Sequence, residues 1–432
     1  MLRSTFSSVE TRQSWIVATV VLLIMAIAFG APWVTLVALK DIAAEVNGER
    51  SVPAFASALM WIGSGVGGIL MGRVAERIGI RFTVIFGALM VALGLALSSR
   101  GPSLPLYLGH GVFMGLLGIG GINAPFYVYV SRWFDRRRGS ALALISSGAY
   151  LAGALWPPVF ARLIAYASWR HAMLAYAAFE LVVIVPAAVL VLAPPPQELH
   201  LRKTEARGAK SVLGWPPNLV FALQMVAIFT CCIPMAMPQT HLVAFCSDLG
   251  ISPAHGAAMV SVLLGAAFFS RQLWGLVSDR IGGLYTMLVG SACQALGMAA
   301  FLFTQDEVGL FTVAALFGAG FSGLVPANIL TSRELFPVED AYWRMPTLLL
   351  CSGWGMATGG WLAGILYDHF GYYAPAFAAG LAANLLNFTF VSTLALRRSR
   401  IAIAWQLKRN DFRLIRYFAL AHCLSMIFSE NR

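Results

Sequence analysis

One feature constrains this chain more than any other. Apolar stretches of about twenty residues or more recur about a dozen times between residues 14 and 396. A helix rises about 1.5 Å per residue and the hydrocarbon core of a bilayer is about 30 Å thick, so about 20 apolar residues suffice to cross it. The spacing predicts spans at roughly 14–39, 52–71, 82–99, 104–130, 139–165, 171–193, 218–246, 255–278, 284–303, 308–331, 346–367 and 371–396. Spanning strands would be shorter and would alternate in polarity, and that pattern is absent. Lipid offers the backbone no hydrogen-bond partner, which leaves helices as the solution. The expected fold class is an all-α membrane protein with 12 transmembrane helices in two six-helix bundles. Composition agrees: 59% of the 432 residues are hydrophobic and 11% charged, against roughly 25% charged in soluble domains. The first apolar segment is too long for the h-region of a signal peptide, and no cleaved leader is expected.

The net charge of +11 would suit nucleic acid if it formed a patch. It does not. With the N-terminus inside, 24 of the 30 lysines and arginines fall on the cytoplasmic side. Lys40, Arg50, Arg100, Arg162 and Arg170 fall outside, and Arg271 lies within a span. This is the bias that fixes topology, so both termini are expected in the cytoplasm of a multi-pass cell-membrane protein, with the bilayer and not nucleic acid as its surroundings. The six cysteines form no CxxC pair, which argues against a disulfide framework or a zinc site. No metal and no cofactor is expected.

The chain repeats itself. GRVAERIGIR at 72–81 follows the second span, and GLVSDRIGGL at 275–284 follows the eighth, 203 residues later. Two bundles related by a parallel repeat place a substrate path between them. The predicted organisation is an N-terminal bundle at 1–193, a linker with PPP and WPP at 194–217, a C-terminal bundle at 218–396, and a basic tail at 397–432. Within the tail, DFRLIRYFALAHCLSMIF at 411–428 is short for a span and suits either an interfacial helix or a disordered terminus.

Those two loops resemble the signature loop of the major facilitator superfamily, G-x-x-x-D-R-x-G-R-R/K, with Glu76 in the place of the aspartate. A second stretch, YVSRWFDRRRGSALALISSGAYLAG at 129–153, resembles the helix 4–5 region of monocarboxylate transporters and the oxalate/formate antiporter group. SWRHAML at 168–174 resembles the GWR that opens helix 6 there. The resemblance implies a gating role for Gly72, Arg73, Glu76, Arg77 and Arg81, repeated weakly at Asp279 and Arg280, because a carboxylate can pair with arginine and face a helix N-terminus. It also implies a substrate-binding arginine at Arg271. The departures matter: Trp33 follows Pro32 where the family has a lysine, Ala267 stands where an aspartate precedes the arginine, and helix 11 carries no lysine.

Arg271 in FFSRQLWG is costly inside a span and is expected to face a cavity or a partner; its planar fork suits a carboxylate. The alternative is a side chain snorkelling to the interface. Trp33, Trp354 and Tyr127 are candidates for an aromatic wall, with His241 and Gln239 in an outer vestibule. Glu180 is the carboxylate placed well inside a span. Gly63, Gly65 and Gly68, and Gly318, Gly320 and Gly323, match GxGxxG but follow no strand, so they read as close-packing surfaces rather than a dinucleotide site. Glycines 63, 67, 68 and 72, repeated in spacing at 355, 359, 360 and 364, are expected either to let the halves slide or to pack statically. No HExxH, GxSxG or Walker motif supports an enzyme. The expectation is a monomeric carrier for a small organic anion, a monocarboxylate, acting as antiporter, symporter or facilitator. Efflux of a hydrophobic compound and a non-transporting sensor are the alternatives.

Overall fold

The computed structural model describes residues 10–101, 103–134, 137–194, 211–337 and 340–429, with side chains throughout except at 138, 139, 341, 342 and 402–429. Among these residues, apart from one bridge between Val212 and Trp215, the regular structure is helical. Twelve helices are long and apolar enough to cross a membrane. The first six are α1 (Arg12–Val37), α2 (Ser51–Ile78), α3 (Ile80–Ser98), α4 (Leu104–Ser131), α5 (Ser140–Tyr166) and α6 (Trp169–Val191). The second six are α7 (Pro217–Asp248), α8 (Pro253–Ile281), α9 (Gly283–Phe303), α10 (Glu307–Leu335), α11 (Trp343–Phe370) and α12, whose span Ala374–Ile401 belongs to one helix running from Ala374 to Ser429. The stretch expected as a separate interfacial helix at 411–428 is thus continuous in backbone with the last span.

The repeat read from the sequence is also a repeat in conformation. Gly79 has φ 87° and ψ 156°, and Gly282 has φ 81° and ψ 162°. This region is essentially closed to residues with a Cβ, so both signature loops need glycine to turn from one helix into the next. Close packing repeats too. A Cβ at Gly115 would collide with the Met60 carbonyl, and one at Gly318 with the Leu263 carbonyl; each pair is offset by 203 residues.

The glycine rows pack inside each half. Gly63 and Gly67 admit the α4 backbone at Gly111 and Leu116, while Gly355 and Gly359 admit the α7 backbone at Phe229 and Ile233. At these four positions the rows turn toward neighbours in their own bundle, as the static-packing alternative expects. Gly364 differs: a Cβ there would lie 2.8 Å from Ser51 Cα in the other half. The halves meet along α2 against α11 and α5 against α8. The face where α6 ends and α7 begins is called the linker face below, and the opposite one the far face.

Four spans are irregular, and one of them, α5, is interrupted at Ser147. α1 breaks at Phe29–Gly30, ahead of Pro32, which has no N–H to donate. Side chains bond to the carbonyls at the break: Trp156 Nε1 donates to Ala26 O at 2.9 Å, and Tyr176 OH adds a second bond to Ile27 O at 2.7 Å. α4 widens into a π-helix over Gly109–Ile119. α10 turns at Ser322–Gly323, where the ring of Trp274 occupies the place a Cβ would take.

Candidate functional site

Arg271 sits on α8 at the contact between the halves. Its Nη1 donates to Ser146 O on α5 at 3.0 Å, and its guanidinium lies 4.7 Å from the ring centroid of Tyr150, one turn further along α5. Tyr127 on α4 and Tyr150 both lie within electrostatic reach of it. Nε is buried without a partner, and among the described residues no carboxylate pairs with Arg271. Tyr150 also meets Phe321 edge-on at 6.1 Å. At Gly153, one turn beyond Tyr150, the absence of a Cβ leaves room for Trp33 and for Leu264 of α8. A cation is thus fixed over an aromatic floor, with donor capacity left over.

The other candidates spread along the interface. Trp33 is buried and Trp354, on α11, is 46% exposed. Gln239 donates to Met235 O within its own helix at 3.0 Å. His241 is fully buried near the far face: Nε2 is 2.8 Å from Gly360 O and Nδ1 is 3.0 Å from Tyr373 OH. The structure brings Tyr127 near Arg271, sets Trp33 further along the interface beside Gly153 and Leu264, and groups His241 with a different set of residues.

That second set was not foreseen. At the far face Arg50, just before α2, forks onto Asp248 at the end of α7, with Nη1–Oδ2 and Nη2–Oδ1 both 2.6 Å. Lys40 reaches the same carboxylate at 3.0 Å. Arg50 Nη1 also donates to Tyr373 OH at 2.8 Å, and the guanidinium lies 3.7 Å from the Tyr367 ring centroid. The backbone N–H groups of Arg50 and Ser51 donate to Asp368 at 2.8 and 3.0 Å. A carboxylate from one half therefore caps a helix of the other, satisfying donors that a helix start leaves orphaned. Burial alone would lower the Arg50 pKa, but Asp248 and Tyr373 overcome it and hold the guanidinium more firmly charged than usual. Burial raises the Tyr373 hydroxyl against the pull of Arg50, so it remains a neutral phenol. The signal available in sequence was two basic residues, Lys40 and Arg50, on the side where basic residues are scarce.

The signature loops lie on the linker face. Glu76, Arg73 and Arg77 are exposed, and the expected pairing of Glu76 with arginine is not formed in this conformation. Gly72 has open space about it. Arg81 Nε donates to Leu192 O at 3.3 Å, and a cavity of about 340 Å³ lies beside Gly72, Glu76, Arg81 and Arg132. In the repeat, Asp279 and Arg280 are exposed as well, while Glu334 accepts from Gly283 N at 2.9 Å and pairs with Arg398 at 2.7 Å.

Two further buried groups lie away from Arg271. His110 bonds to Thr35 at 2.8 Å, Ser98 at 3.0 Å and Leu106 O at 3.1 Å, all in its own half. Glu180 is buried with neither oxygen hydrogen-bonded, on a helix that packs chiefly against α3.

A sequence profile described as Major Facilitator Superfamily matches the chain twice, over residues 21–245 and 222–429. The chain belongs to the Major Facilitator Superfamily. This superfamily transporter is similar to monocarboxylate transporter 13 of Rattus norvegicus, with 28% identity over 381 residues that cover 85% of this chain and 84% of the relative. Its fold is shared with a bacterial homologue of the lysosomal transporter Spinster, crystallised inward-facing and occupied, at TM-score 0.64 and 14% identity, covering 92% and 98% of the two chains. It is shared equally with the peptide transporter POT crystallised with sulfate, at TM-score 0.67 and 12% identity, covering 88% and 95%. Arg271 and the Arg50 cluster both lie where the two halves meet.

Proposed function

We propose that this transporter moves a small monocarboxylate by alternating access, with Arg271 holding the carboxylate. The observation that carries this reading is an arginine clamped between the halves over an aromatic ring, with a buried N–H to spare and no acidic partner among the described residues. A charge in a span is normally paired or faces a cavity, and a substrate anion would supply the missing pair with two parallel hydrogen bonds. Tyr127, Tyr150 and Trp33 would form the apolar wall against the substrate's hydrocarbon part, and Trp354 would reach the pathway from α11. Gln239 and His241 stand nearer the far face, where they would act on the passage of substrate rather than hold it. The similarity to monocarboxylate transporter 13 supports the substrate class.

In this reading the protein works as a monomer in the cell membrane, with linker and termini cytoplasmic, as the distribution of basic residues favours. The far face is then the outer one. Gly72, Arg73, Glu76, Arg77 and Arg81, with Asp279 and Arg280, would close the inner side when the halves rock, and their exposure suits a state in which that side is parted.

Uptake of radiolabelled small monocarboxylates into proteoliposomes tests the proposal. Arg271→Ala should lower uptake by about a hundredfold or more, since a buried charge-assisted fork is worth about 3 kcal/mol. Arg271→Lys should raise the half-saturating concentration about tenfold while leaving folding unchanged. Full activity of correctly inserted Arg271→Ala protein would reduce the arginine to a snorkelling anchor.

A further inference from the structure

His241 is fully buried, and its hydrogen bonds define its tautomer. Gly360 O can only accept, so the Nε2 atom 2.8 Å away must carry the proton. Nδ1 is then a bare acceptor, and the Tyr373 hydroxyl at 3.0 Å donates to it. With its proton committed to His241, the Tyr373 oxygen is free to accept from Arg50 Nη1 at 2.8 Å, and Arg50 grips Asp248. In the chain Gly360–His241–Tyr373–Arg50–Asp248 every donor thus faces an acceptor: the bonds run from Arg50 through Tyr373 and His241 to Gly360, Arg50 also donates to Asp248, and both joints of Arg50 cross between the halves. The charged and titratable groups around His241 are Tyr373 and Arg50, and behind them Asp248, Asp368, Lys40 and Tyr367.

We propose that His241 is a proton-binding site that unlocks the far-face contact between the halves. This rests on the alternating-access reading above. A proton arriving at Nδ1 converts an acceptor into a donor. The Tyr373 hydroxyl loses its acceptor, and its oxygen is left between two cationic donors, the imidazolium and Arg50. The ordered chain cannot be redrawn with every hydrogen paired, and Arg50 is pushed from the oxygen that steadies its hold on Asp248. When the far face parts, Nδ1 meets water and can take a proton without this conflict. A proton therefore binds the parted state more strongly, and by linkage it shifts the population toward that state. The proton is bound and released with no other bond made or broken. His110 is equally buried, yet its partners Thr35, Ser98 and Leu106 lie in one half, so its titration has no lever on the interface.

The test uses spin labels at Glu49→Cys and Tyr372→Cys, exposed far-face positions in opposite halves, in a chain whose six native cysteines are replaced by alanine. Distances are measured by double electron–electron resonance in liposomes between about pH 8 and pH 5. The expected result is a longer far-open component whose ratio to the short one rises about tenfold, the scale of a modest coupling. His241→Asn keeps an acceptor toward Tyr373 but cannot be protonated, and His241→Gln keeps a donor toward Gly360; both should remove the pH response. His110→Gln should retain it. Tyr373→Phe keeps the ring but cuts the link, and should flatten the response. An unchanged pH response in His241→Asn overturns the proposal, as does a wild-type distribution that ignores pH. Because the labels report gate position without substrate, failure here leaves the role of Arg271 standing, and loss of carboxylate uptake leaves the pH response readable.

Discussion

At the far end of the interface Arg50 and Lys40 reach across to Asp248, and Asp368 caps α2 from the opposite half. At the linker end the ion pairs Arg398–Glu334 and Arg344–Asp340 close within the C-terminal half. Both ends are charged, both are hydrogen-bonded, and they do opposite jobs. A pair that crosses between rigid bodies exists in one arrangement of those bodies and is lost in the other, so it selects a conformation. A pair inside one body exists in every arrangement, so it contributes to the stability of the bundle and is silent in the transport cycle. The comparison teaches that what a charge spans, rather than how strong its pair is, decides its role in a carrier.

The sharpest way to break the comparison is Arg50→Ala. It leaves Asp248 with Lys40 alone and takes away the donor to the Tyr373 oxygen, and truncating one partner of a hydrogen-bonded charge pair typically costs 2 kcal/mol or more, about a thirtyfold change in a two-state ratio. The variant should lose the closed far face, seen as a large gain in thiol labelling of a far-face cysteine, and should transport poorly. If its far face stayed closed, the cluster would be ornament. At the other end, Glu334→Gln removes a pair that is partly exposed and leaves Gly283 N without its carboxylate. It should lower thermal stability by about 1 kcal/mol and leave far-face labelling where it was. A shift in labelling would mean that the two ends are not separable. The smallest effect concerns Glu45 and Arg170, a within-half pair on the far face, with both contacts at 2.6 Å. Hydrogen bonding from Arg170 lowers the Glu45 pKa below its ordinary 4.5. The pair's contribution is therefore complete above pH 4.5 and disappears as pH falls through the depressed value. Both side chains are about a third exposed, and solvent screens the pair. The melting temperature should fall slightly on acidification below pH 4.5, less so in Glu45→Gln, with no change in gate position at any pH.

The sequence carried the spans because lipid imposes a length and a composition on each of them, and it carried the repeat because both signature loops need a glycine in the same forbidden region. It carried Arg271 for the same reason: a charge in an apolar run is visible at once. It did not carry the far cluster. Arg50, Asp248 and Asp368 are scattered over more than three hundred residues in loops and helix ends, where a charge is ordinary, and their meeting depends on how the halves are docked. His241 was legible as an unusual residue but was assigned to the vestibule, because the partners that define it, Tyr373 and the Gly360 carbonyl, come from elements more than a hundred residues away. The break in α1 at Phe29–Gly30 was hidden as well, since the hydropathy of that stretch runs on unbroken through it.

The cap that Asp368 places on α2 has a further consequence. Two backbone N–H groups, two carboxylates and a guanidinium at the far face all find their partners across the seam between the halves. None of them can be left dry, because an unpaired polar group removed from water costs more than its bond contributes. Parting the halves is therefore a wetting event: molecules of solvent must enter as the carboxylates leave, and they must be expelled again before the seam closes. The far face works against the activity of water as well as against the pull of its charges.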